Sequence, residues 1–218
     1  MEKEVRGINY FSLGLYAFAG LGIEAIYAFL LEPFIYGSTM KNWNTSQNII
    51  HWIITCITWG IVTFVIINYS KREYEFDIFE KKEKMKAWQW IGVIVCIILS
   101  LYISYQDWNG FKIIKEFQNL GVLQFIFQYL YYLFETILFM LILVYGQKSF
   151  EIWFRKENIP YGGIILALTW GLAHIFTKGD VRVGLLSGLL ASAFGVVYLL
   201  VNRDIKKTFL ILFIMFVS

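Results

Sequence analysis

The chain has 218 residues, 58% of them hydrophobic, with a mean hydropathy of +0.60 and a formal charge of +3. A soluble domain carries about 45–50% apolar residues with glycine counted, and the excess here falls in long unbroken blocks, which excludes a single aqueous core. The small charge and the lack of a basic domain outside those blocks exclude a nucleic-acid partner. Cys56 and Cys96 each sit alone in an apolar run, so they read as small buried hydrophobes and not as a disulfide framework or zinc ribbon.

A bilayer core about 30 Å thick takes a helix of about 20 apolar residues, and lipid tolerates no unpaired backbone. The expectation is an all-α polytopic transmembrane helical bundle forming one membrane domain, 1–218, with about seven segments: 8–31, 49–69, 88–106, 119–147, 161–178, 181–201 and 208–218. The first begins after Lys3 and Arg6, and Ala17-Phe18-Ala19-Gly20 mimics a signal-peptide cleavage site. Its apolar run, Ile8 to Leu31, is too long for a signal peptide, so it reads as a retained helix. The last segment is half a span, since eleven residues rise only about 16 Å. Taking the N-terminus and alternate loops as one side places 14 Lys and Arg there against 5 on the other. The run Lys81-Lys82-Glu83-Lys84-Met85-Lys86 is the largest single contribution to that side. Basic loops stay inside, so the N-terminus is expected to be cytoplasmic. Trp88, Trp90, Trp108 and Trp153 fall near segment ends, as interfacial anchors do.

Ionisable groups within such segments cost on the order of 2.5–3.5 kcal/mol each on insertion scales, and so need a reason. Glu24, Glu135 and His174 are the candidates; His51 and Asp107 lie nearer segment ends. Gln124 and Gln128 stand eleven and seven residues before Glu135, which puts all three within about 20° of one helix face. That stripe must face protein or a watery cavity. The fourth and fifth segments form a hairpin about a loop near residue 154, so Glu135 and His174 match in depth and can meet as a water-activating pair. Glu24 has no partner that spacing can name. In the sixth segment Gly184, Gly188, Ala191 and Gly195 form a small-residue stripe for close helix packing. No G-x-S-x-G elbow surrounds Ser187 or Ser192, no H-E-x-x-H occurs, and no glycine loop cradles phosphate. No metal or other cofactor is expected.

From about residue 119 onward, and in motifs from about 130, the chain resembles the CAAX-protease and bacteriocin-processing (CPBP, or Abi) family of intramembrane proteases. Phe134-Glu135-Thr136-Ile137-Leu138-Phe139-Met140 is similar to the family's E-E-x-x-x-R motif, and Thr169-Trp170-Gly171-Leu172-Ala173-His174 to its F-x-x-x-H motif. The glycine-rich stretch Gly184 to Arg203, with Tyr198, resembles the helix that follows. The resemblance implies a helical membrane fold in which Glu135 is the general base and His174 orients water or stabilises the oxyanion. The chain departs from the pattern at Thr136 and Met140, and 209–216 lacks the third motif's histidine with its Asn or Asp. Trp170 stands in place of phenylalanine.

The resulting expectation is a protease-like membrane protein with an incomplete catalytic set, acting as a binding, immunity or scaffold protein. Glu135 and His174 are its candidate catalytic residues, and Gln124, Gln128, Glu24 and Trp170 its candidate binding residues. An active glutamate-dependent endopeptidase of the CAAX-prenyl type is the first alternative. A small transporter or a subunit of a membrane complex is the second. The partners expected are membrane lipids and a peptide or membrane protein. The Ile-, Lys- and Asn-rich usage suits an AT-rich bacterial genome and hence a bacterial plasma membrane.

Overall fold

The computed structural model describes residues 5–218; Lys3, counted among the basic residues of the N-terminal side, lies outside them. The described residues form seven helical rods and no strand: α1 (Gly7–Tyr36), α2 (Thr45–Tyr74), α3 (Ala87–Trp108), α4 (Lys112–Phe154), α5 (161–178), α6 (Val181–Leu200) and α7 (Ile205–Val217). Each covers one of the seven apolar segments. α4 is the outlier in length, starting seven residues before the expected segment and ending seven after it, because a short first arm joins its long arm through a non-helical Gly121. Five rods, α1 to α4 and α6, are long and apolar enough to cross a membrane. Their outward faces carry large bare hydrophobes, with Phe34 90%, Phe64 69% and Ile91 63% exposed. Water would not tolerate an apolar surface of that extent.

α4 is the central pillar. Every side chain from Leu138 to Tyr145 is buried, as expected for a helix apolar on all faces and enclosed by neighbours. α1 and α2 pack on one flank, α5 and α7 on the other, and α3 lies outermost against α6 and α7. The basic loops gather at one end. There Arg203 donates to Glu151 at 2.7 Å and to the Glu157 carbonyl, while Asn202 reaches the Glu83 and Lys84 carbonyls and accepts from Gln89. The helix termini there are capped by their own sequence. Asp204 Oδ1 accepts from the Lys206 and Lys207 backbone N–H groups, both at 3.1 Å, and opens α7.

α5 meets α6 through glycine on glycine. A Cβ on Gly163 would stand 2.7 Å from Gly195 Cα, and one on Gly171 would stand 2.7 Å from Gly188 Cα. The two contacts are eight residues apart on α5 and seven on α6. They match because Ala167–Gly171 is a π-turn that inserts one residue into α5. The small-residue stripe foreseen on α6 is therefore the seam with α5.

Replacing Gly163 by valine forces these backbones apart. We expect a loss of about 1–3 kcal/mol, or failure to fold, read as a lower midpoint of thermal unfolding in detergent. Asp204 supplies a second expectation. Burial alone would raise its pKa, but the Lys207 ammonium and the two backbone N–H groups outweigh burial and hold it below its ordinary value. A depressed carboxyl stabilises the fold above its unfolded pKa and loses that contribution as pH falls through its folded pKa. Asp204→Ala should cost about 1 kcal/mol at neutral pH. The gap to wild type should close below about pH 4, where aspartate protonates.

Candidate functional site

Glu135 and His174 are brought to the same wall, and Trp170 stands between them. The Trp170 indole Nε1 donates to Glu135 Oε1 at 2.8 Å, and His174 Nδ1 lies 2.8 Å from the Trp170 carbonyl. A carbonyl only accepts, so Nδ1 carries the hydrogen and neutral His174 presents Nε2 as an acceptor. The Trp170 and His174 rings meet edge to face at 4.6 Å. Phe139, Phe194 and Phe216 complete an aromatic surround for Trp170. Glu135 and Trp170 are buried and His174 is half-buried. No direct Glu135–His174 ion pair or hydrogen bond forms among the described residues. The depth match holds, but the expected carboxylate–imidazole contact is replaced by a tryptophan bridge because the indole occupies the space between the two helices.

A second buried network arises from a break in α4. Gly121 has φ 70° and ψ 174°, a region open essentially to glycine alone. In a straight helix Glu116 and Tyr132 would be about 24 Å apart; here Glu116 Oε1 accepts from Tyr132 Oη at 2.6 Å. The segment 112–120 therefore folds back on the long arm of α4. Glu116 also accepts from Gln128 at 3.0 Å and Tyr129 at 2.9 Å, and Gln128 further bonds Tyr132. Lys112, four residues earlier, donates to the Phe216 carbonyl at 2.8 Å. Both Lys112 and Glu116 are buried, and Lys112 is within electrostatic range of Glu135.

A third cluster joins α1 to α2. His51 Nδ1 pairs with Glu32 Oε2 at 2.6 Å, and His51 Nε2 lies 3.5 Å from Glu24 Oε1. His51 and Glu32 are buried, while Glu32 Oε1 and His51 Nε2 have no hydrogen-bond partner. Glu24 and Glu32 are eight residues apart, which in an α-helix would splay them by about 80°. The π-turn Tyr27–Leu31 lies between them; its extra residue reduces the offset to about 20° and aims both carboxylates at one histidine. The Tyr131 hydroxyl faces Glu24 from α4, and Glu24 lies within electrostatic range of Glu135.

The three clusters occupy the half of the bundle away from the basic loops. Toward the basic end the buried band Leu138–Tyr145 closes the interior. Of the residues expected from sequence, Glu24, Gln128, Glu135, Trp170 and His174 enter these clusters. Gln124 is half-buried and makes no hydrogen bond among the described residues. Lys112, Glu116 and Glu32 were missed: the first two read as loop and the third as helix end. An i, i+4 Lys–Glu pair at 112 and 116 was the available sign. Two grooves of about 470 and 370 Å³ run along the outer side of α2 and α4, sharing Gly60, Phe64 and Phe134; neither touches Glu135 or His174. Among the described residues no group of His, Cys, Asp and Glu is arranged to hold a metal ion. Comparison with family models, curated proteins and solved structures gives no match for the chain.

Trp170→Phe keeps the ring packing but leaves Glu135 Oε1 without its donor. We expect a loss of about 1–3 kcal/mol, read as a lower unfolding midpoint, with Glu135→Gln in the same background changing little further.

Proposed function

We propose that this is a multi-pass protein of a bacterial plasma membrane, built on a CPBP-like plan with its N-terminus cytoplasmic, that binds a segment of a membrane partner in its polar half and does not cleave it. The observation that carries this reading is the Trp170 bridge. The candidate base is engaged by an indole donor, and the candidate histidine is tied to the bridging residue's own carbonyl. The third motif's donors are missing as well, and loss of a single oxyanion donor typically lowers turnover by about 10²–10³-fold. The confinement of the buried ionisable groups Glu32, His51, Lys112, Glu116 and Glu135 to one half favours a one-sided binding region over a transport path, which would need ionisable groups through the Leu138–Tyr145 band. An immunity or scaffold role fits a protein that recognises membrane segments without turnover.

One observation favours the active-peptidase alternative: Glu135 Oε2 and His174 Nε2 make no hydrogen bond within the described residues, which leaves an acceptor on each for water. The discriminating experiment is a cleavage assay with the purified protein in lipid nanodiscs. The substrates are a prenylated C-terminal peptide and a set of transmembrane peptides, with Glu135→Gln as control. We expect no cleavage above the control and a lower thermal midpoint for Glu135→Gln, the mark of a structural carboxylate. Hydrolysis that disappears in Glu135→Gln would overturn the binding reading.

A further inference from the structure

The Lys112 side chain is 8% exposed, and no carboxylate among the described residues lies within ion-pair distance of it. Instead its Nζ sits 4.7 Å from the Tyr132 ring centre, 4.6 Å from that of Phe216 and 6.0 Å from that of Trp108, with the Phe216 carbonyl at 2.8 Å. Aromatic faces around an ammonium are a recognition device, because the ring quadrupoles attract the cation while the cage excludes water. Glu116 and Glu135 add negative charge within electrostatic range. The site is therefore built for an ammonium group, and the ammonium it holds is the chain's own.

The residue that fills the cage lies on a short helical segment set off by glycine on both sides. Residues 112–120 are bounded by Gly110 at φ 145° and Gly121 at φ 70°, so a non-helical glycine stands on each side. Beyond backbone continuity, the polar contacts holding the segment down are the Lys112 bond and the three bonds that Glu116 accepts. Its outer face, Ile113, Ile114 and Phe117, is exposed and apolar, which suits an element lying in the membrane interface. Lifting it removes Lys112 from the cage and leaves Tyr132, Phe216 and Glu135 in place.

We propose that segment 112–120 is a self-occupying lid, and that the cage under it receives the ammonium of a lysine side chain from the bound partner when Lys112 withdraws. This rests on the partner-binding reading and names the chemistry of the partner at that site. Lys112 lowers the affinity of the resting protein by competing for its own cage, so only a partner that both lifts the lid and supplies a cation is bound.

The test uses the full chain in detergent and n-butylammonium chloride as the lysine mimic, with n-butanol and sodium chloride as controls. In Lys112→Ala we expect a saturable rise in the unfolding midpoint with n-butylammonium and none with either control. Wild type should show a much smaller rise, and Lys112→Met, whose apolar stem fills the cage, should show none. A response in Lys112→Ala no larger than in wild type, or equal to that with n-butanol, would overturn the proposal. Should Lys112→Ala fail to fold, Tyr129→Phe decides the matter, since it removes one lid bond and leaves the cage intact. There n-butylammonium should raise hydrogen exchange across 112–120, and no rise sinks the proposal. Exchange that rises in phosphatidylethanolamine vesicles but not in phosphatidylcholine vesicles would assign the cage to a lipid amine and overturn the partner-lysine assignment. A protein that cleaves peptides through Glu135 yet still binds n-butylammonium in Lys112→Ala would refute the functional reading and leave the cage standing.

Discussion

A charge inside a bundle whose outer faces are apolar has no water to hydrate it, so each buried ionisable group must be satisfied by protein. Much of the architecture follows from that constraint. Glu116 is the clearest case. Its carboxylate takes three donors from the long arm of α4, and to reach them the chain must reverse at Gly121. Glu135 takes the Trp170 indole, which draws α5 against α4 at the point where Phe139, Phe194 and Phe216 also converge. His51 takes Glu32 and approaches Glu24, tying α2 to α1. The polar groups thus act as fasteners between rods that the hydrophobic effect would hold together only weakly in lipid.

The helical class and the positions of all seven rods were legible in the sequence, because blocks of apolar residues near twenty long admit little else. The α6 stripe was legible for the same kind of reason, small residues at helical spacing. The similar depth of Glu135 and His174 could also be read from spacing, whereas the indole that takes the Glu135 carboxylate could not. What could not be read was register. Two π-turns each insert one residue, and a calculation at 100° per residue misplaces everything beyond them. Glu24 and Glu32 diverge on that calculation and converge in the fold. Likewise nothing at Gly121 announces a reversal: a glycine in an apolar helix is ordinarily tolerated, and the φ and ψ it adopts accompany bonds across the bend, such as that between Glu116 and Tyr132, sixteen positions apart.

Each of the two π-turns also lies at one of the polar clusters. Tyr27–Leu31 lies between the carboxylates that face His51, and Ala167–Gly171 contains Trp170. A π-turn widens the helix and weakens its hydrogen-bond geometry, so it persists where surrounding contacts require it. In α5 the requirement is double, since the same inserted residue aligns Gly171 with Gly188 and sets Trp170 facing Glu135. Packing and polar bonding are thereby coupled through one backbone irregularity, and substitutions at the glycine seam act on the polar site without touching it.

The buried band Leu138–Tyr145 has an electrical meaning. A charge costs most where it finds fewest polar partners, and the side chains of this band offer far fewer than the half holding Glu24, Glu32, Glu116, Glu135, Lys112 and His51. A full elementary charge carried through 100 mV is worth about 2.3 kcal/mol, but a charge that moves only within the polar half crosses only part of that drop. The ionisable groups of that half are thus placed where a shift of charge among them draws on only a fraction of any potential across the bundle.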